Sequence, residues 1–229
     1  MIPSRRATLT AGVLYLVTFA ASIPAVVLLA PVLSDSGFVF GSGGSPGVVA
    51  GAVLDLVNAA ACVGTAVVLY PLLRGIAPAR SLGFVTSRVL EAAIIAFGVV
   101  CLLAVVSLRL GGTADPSAGV VAAALVAVRD ETFLLGPGLM PAVNALLLGS
   151  TLFGARLVPR IIPALGLVGA PLQLASVVAT MFGLTTQVSV VSAVAVLPIF
   201  FWELGLGLWL VARGFLPAGA ESVRDATAP

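Results

Sequence analysis

The chain has 229 residues, 60% hydrophobic and 9% charged, with a mean hydropathy of +1.22 and a formal net charge of +2. A soluble domain carries about 25% charged residues, so the composition excludes one and indicates a polytopic membrane protein. All 11 basic residues are Arg; without Lys or His there is no retinal-type Schiff base, Walker phosphate loop, HExxH zinc site, Ser-His-Asp triad or His-ligated haem, since each needs one of those side chains.

Residues 1–8 are a short polar tail with Arg5 and Arg6. The apolar run that follows, Leu9 to Leu33, is far longer than the 7–15 residue core of an export signal. It predicts an uncleaved first span, bent at Pro24. Ser34 to Pro46 is a Gly/Ser-rich loop without Arg. Val48 to Leu73 is the second span. Its small-residue stripe Gly47, Gly51, Asp55 and Ala59, at spacing four, predicts close packing on a neighbour and directs Asp55 into the bundle.

After a basic loop, Arg74 to Arg80, the third span runs from Ser81 to Leu108 with Arg88 and Glu91 inside it. A charge at the centre of such a helix costs about 2.5–3.5 kcal/mol, and residues three apart share a face. Asp115-Pro116 is a helix start, an N-cap followed by Pro at the first helical position. Residues 116–133 are too short and too charged at Arg129-Asp130-Glu131 to read as a span, and predict an interfacial or re-entrant helix. Phe133 to Ala155 is the fourth span, Ile161 to Phe182 the fifth and Val188 to Ala212 the sixth; residues 213–229 form a polar tail expected to be disordered. Cys62 and Cys101 both fall inside spans and read as small buried hydrophobes.

The expected architecture is therefore all-α: one domain, residues 9–212, forming an integral membrane bundle of six transmembrane helices, with the interfacial or re-entrant helix between spans three and four. Arg5, Arg6, Arg74, Arg80, Arg156, Arg160, Arg213 and Arg224 then lie on one side, against Arg109 and Arg129 on the other. The positive-inside rule makes both termini cytoplasmic.

Several stretches together resemble a family. RRATLTAGVLYLVTF at the start, LYPLLR closing span two, SLGFVTSRVLEA, the LVPR loop with LGLVGAP after it, and WELGLGLWLVARGF are similar to domain-of-unknown-function family 4386, over roughly Arg5 to Phe215. The resemblance implies a multi-pass bacterial inner-membrane protein and implies no activity.

Depth, counted at about 1.5 Å per residue, groups the polar residues into two layers. Arg88, Glu91 and Glu203 fall in the cytoplasmic half, within reach of one another. Asp55, Asn58, Asn144 and Gln173 fall in the outer half. Arg88 and Glu91 lean towards the cytoplasm, whereas Glu203 leans to the bilayer centre, with the least access to water. These residues fit a small-solute or proton-coupled transporter, with the carboxylates as titrating groups and Arg88 as counter-charge. They also fit a non-enzymatic scaffold for a protein or lipid partner, in which the charges only hold helix register. A cavity reaching Glu203 discriminates the two. No catalytic residue, metal or cofactor is expected, and no nucleic-acid partner; the expected partners are the lipid bilayer and a small solute or proton.

Overall fold

The computed structural model describes residues 5–112 and 114–217. Arg224 and most of the tail expected to be disordered lie outside the described residues. The described chain is helical throughout: α1 (Arg5–Ser34), α2 (Pro46–Leu73), α3 (Pro78–Leu110), α4 (Pro116–Phe133), α5 (Met140–Asn144), α6 (Ser150–Gly154), α7 (Ile161–Met181) and α8 (Val190–Ala212), with a 3₁₀ turn at Phe38–Phe40. Five of them, α1, α2, α3, α7 and α8, are long and apolar enough to cross a membrane.

The long helices begin and end close to the boundaries read from hydropathy, except that α1 already includes Arg5 to Thr8. Pro24, Pro71, Pro171 and Pro198 lie within continuous helices and break none of them. The clearest difference concerns residues 116–154. No separate interfacial or re-entrant helix precedes the fourth rod: α4, α5 and α6 run on from one another through two π-helical turns, Leu134–Leu139 and Ala145–Gly149. Asp115 caps this run by accepting the Ser117 backbone N–H at 2.9 Å. That bond holds the Asp115 carboxyl below its ordinary range.

Helices pack in chain order, each on the next, and α8 closes the ring against α1. Basic residues gather at one end, where Arg5 donates to the carbonyls of Leu210 and Val211 and Arg80 reaches Ser150. Because α3 has 33 residues and α7 only 21, α1 to α4 extend roughly 18 Å beyond the α7–α8 turn. Gln187 pins that turn at the level of Asp130, whose carbonyl it bonds at 3.1 Å. Two apolar cores match this two-tier build. One, around Tyr15, Phe84, Leu152 and Trp202, fills the six-rod tier, and the other, around Leu29, Phe38, Val48 and Leu102, fills the four-rod extension.

Arg109 seats the loop at the far end. Its guanidinium lies 4.5 Å over the Phe38 ring and donates to the carbonyls of Phe38, Ser42 and Gly43. Small residues set the helix contacts, as the stripe on α2 leads one to expect: a Cβ on Gly51 would stand 2.9 Å from Leu29 of α1. The tightest contact is between α1 and α8, where a Cβ on Gly12 would meet the Val211 nitrogen at 2.7 Å and the Gly207 oxygen at 2.8 Å. Backbone cannot swing aside, so Gly12→Val should cost about 1–3 kcal/mol or more through overpacking. Gly205→Ala, whose Cβ meets nothing within 4 Å, should leave unfolding in detergent within about 0.5 kcal/mol of wild type. Equal stability of the two variants would contradict this packing.

Candidate functional site

Arg88 lies on the inward face of α3 and is 2% exposed. Its Nη2 donates to Glu203 Oε1 of α8 at 2.7 Å, and its Nη1 donates to Glu91 Oε2 at 3.0 Å and to Cys62 Sγ of α2 at 3.5 Å. The guanidinium carbon stands 5.2 Å from the centroid of the Tyr15 ring of α1 and 5.7 Å from that of Phe84. Glu91 Oε2 also accepts from Asn144 Nδ2 of α5 at 2.8 Å. One cation thus contacts α1, α2, α3 and α8 directly and α5 through Glu91. Arginine suits the position because its rigid fork serves two carboxylates at once, with its flat faces against aromatic rings.

Depth counting brings Arg88, Glu91 and Glu203 together, as the coordinates do. It misplaces Asn144, which belongs with Glu91 rather than with an outer layer. Counted from the end of α6, Asn144 is about ten residues deep, level with Glu91. Glu203 is also not the least accessible of the three: its side chain is 14% exposed, against 2% for Arg88 and 5% for Glu91. The cause is a cavity of about 320 Å³ beside it, bounded by Arg88, Glu91, Glu203, Asn58, Cys62 and Gln173 and walled by Phe19, Phe133 and Phe200. Exposed Ile23 of α1 and Val196 of α8 lie on its rim.

The other expected residues sit around a second centre. Asp55 Oδ2 accepts from Arg129 Nη2 of α4 at 3.5 Å, and Arg129 lies 5.0 Å from the Phe133 ring centroid. Asp130 and Glu131 remain exposed. Arg129 was read as part of a solvated run, yet it is 7% exposed and turned inward. The sequence signal for this was present in Gly98 of α3, where a Cβ would meet Arg129 Cδ at 2.9 Å and Thr132 Oγ1 at 2.4 Å. A bare backbone there makes the slot in which Arg129 lies. A cavity of about 180 Å³ at this pair shares Ser22, Ile23, Asn58, Phe133 and Pro137 with the chamber at Glu203. Asn58 therefore stands between the two charged centres. Gln173 lies on the opposite wall and donates to the Gly138 carbonyl at 2.6 Å, in the π-helical turn next to Pro137. Among the described residues, no group of three His, Cys, Asp or Glu side chains could hold a metal ion.

Residues 10–214 match the family described as Domain of unknown function (DUF4386). The chain belongs to that family. No curated protein and no solved structure matches it. The match spans both charged centres, and every helix that contributes to them falls within it apart from the first turn of α1.

Substituting Gly98 tests how the second centre is assembled. Gly98→Ala should cost about 1–3 kcal/mol by crowding Arg129. Combined with Asp55→Asn it should cost clearly less than the sum of the two, because both act through one contact. Strict additivity of the pair, measured by unfolding in detergent, would show that Gly98 does not position Arg129.

Proposed function

We propose that this chain is a bacterial inner-membrane protein that moves a small solute, with or in exchange for protons, through the chamber at Glu203. The observation that supports the reading is the cavity itself. Charges retained only to fix helix register need no space beside them, since a void forfeits packing contacts. Here the chamber reaches the least buried carboxylate of the cluster, and its size lies at the lower end of that of ligand pockets. Arg88 and Glu91 form the fixed side of the site, and Glu203, held to Arg88 through Oε1 alone, is the partner that can be exchanged for a solute.

In this reading the bundle crosses the membrane six times, the fourth crossing being made within the continuous run 116–154. Arg5, Arg6, Arg74, Arg80, Arg156, Arg160 and Arg213 gather at one end, against Arg109 and Arg129 towards the other, which supports cytoplasmic termini. The apolar surface continues along the four-rod tier, where Val27 and Val120 are exposed, so lipid surrounds that tier too.

Ser22 lines both cavities and gives a direct test. Ser22→Cys should react with a charged, membrane-impermeant methanethiosulfonate at least about tenfold faster than wild type, whose Cys62 and Cys101 are buried. Reaction with a neutral, lipid-soluble maleimide alone would mean a dry chamber and would return the charges to a structural role.

A further inference from the structure

The hydrogen-bond inventory of the chamber is lopsided, and that imbalance carries information about the ligand. Gln173 is 4% exposed, and its Nε2 is spent on the Gly138 carbonyl, which fixes the amide orientation and leaves Oε1 without a partner. Asn144 is 1% exposed and repeats the pattern: Nδ2 is spent on Glu91, and Oδ1 is unpartnered. Glu203 uses only Oε1. The sole donor of the cluster without a partner is Arg88 Nε–H, on a guanidinium already committed to two carboxylates.

Charge points the same way. One Arg faces Glu91 and Glu203, so the cluster carries one formal negative charge more than it compensates, and the Arg129–Asp55 pair next to it is neutral. Buried acceptors left unpaired cost free energy that a donor would recover. The remaining walls are apolar and aromatic: Phe19, Phe133 and Phe200. Such rings favour a cation at their faces, and the rim formed by Ile23 and Val196 opens between α1 and α8 on an apolar surface.

Resting on the reading of the chamber as a ligand site, we infer that its occupant is a primary ammonium group carried on an apolar chain. The ammonium replaces Arg88 as the partner of Glu203 and donates to Gln173 Oε1, while the chain lies along the aromatic wall towards the α1–α8 rim. A quaternary ammonium has the charge without the donors, an alcohol has a donor without the charge, and a carboxylate has the wrong sign.

Thermal unfolding in detergent with matched eight-carbon probes separates these chemistries. Octylamine should raise the wild-type Tm by about 3 °C or more at saturation, and octyltrimethylammonium by less than half as much. Octanol and octanoate should do no better than detergent alone. The octylamine shift should vanish in Glu203→Gln and fall by at least half in Gln173→Leu, each compared with its own ligand-free Tm. A shift from lysophosphatidylethanolamine that lysophosphatidylcholine does not reproduce would place the same ammonium on a lipid headgroup and support the inference. Equal shifts from octylamine and octanol, or an undiminished shift in both variants, would overturn it. Failure here with Ser22→Cys still open to the charged reagent rejects the amine but not the site, whereas a closed chamber rejects both.

Discussion

An arginine inside a membrane bundle is expensive unless almost every polar contact it can make is provided, and Arg88 meets that demand with groups from several helices. Burial of an ion costs several kcal/mol even after relaxation. The cost is offset here by two carboxylates, a thiol and two aromatic faces. In lipid, apolar side chains gain little by meeting one another, so packing of small residues and polar ties decide which helices associate. The order round the ring follows accordingly. Gly12 brings the backbone of α8 onto α1, Gly51 brings α2 onto α1, and Arg88 joins α3 to α8 across the middle.

The second centre shows what a looser version of the same device does. Arg129 and Asp55 stand 3.5 Å apart rather than 2.7 Å, and the contact depends on a slot left by Gly98. It joins α2 to α4 at the level where the α7–α8 turn ends and the four-rod tier begins. Between the two centres lie Asn58, Ser22 and Pro137, which border both cavities. A continuous polar lining between one tight ion cluster and one loose pair is a better arrangement for passing a cation or proton along than for locking helices alone, because each acceptor has another within the same space.

Apolar run lengths were enough to locate the long helices, and the three-residue spacing of Arg88 and Glu91 was enough to put them on one face. Depth counting paired them with Glu203 because α3 and α8 start and stop at the same end of the bundle. The same counting failed for Asn144, since the triplet Arg129-Asp130-Glu131 reads as the end of a helix when it is the middle of one. Local pattern could not show that Arg129 turns inward while its two neighbours stay outside; that depends on a glycine on another helix. The greater exposure of Glu203 was equally hidden. Rise per residue gives depth, but a cavity is a property of how several rods fail to fill the space between them.

The roles assigned to Arg88 and Glu203 differ in kind: one holds the bundle together, and the other is available to a ligand. Unfolding in detergent of Arg88→Gln and Glu203→Gln against wild type separates them most directly. Removing the cation leaves two buried carboxylates unpaired and should cost about 3–5 kcal/mol. The Glu203→Gln amide can still accept from Arg88 beside an open cavity, so that variant should lose roughly 1 kcal/mol or less. Equal, large losses in both would contradict the account, because Glu203 would then be part of the clamp and not free to exchange partners.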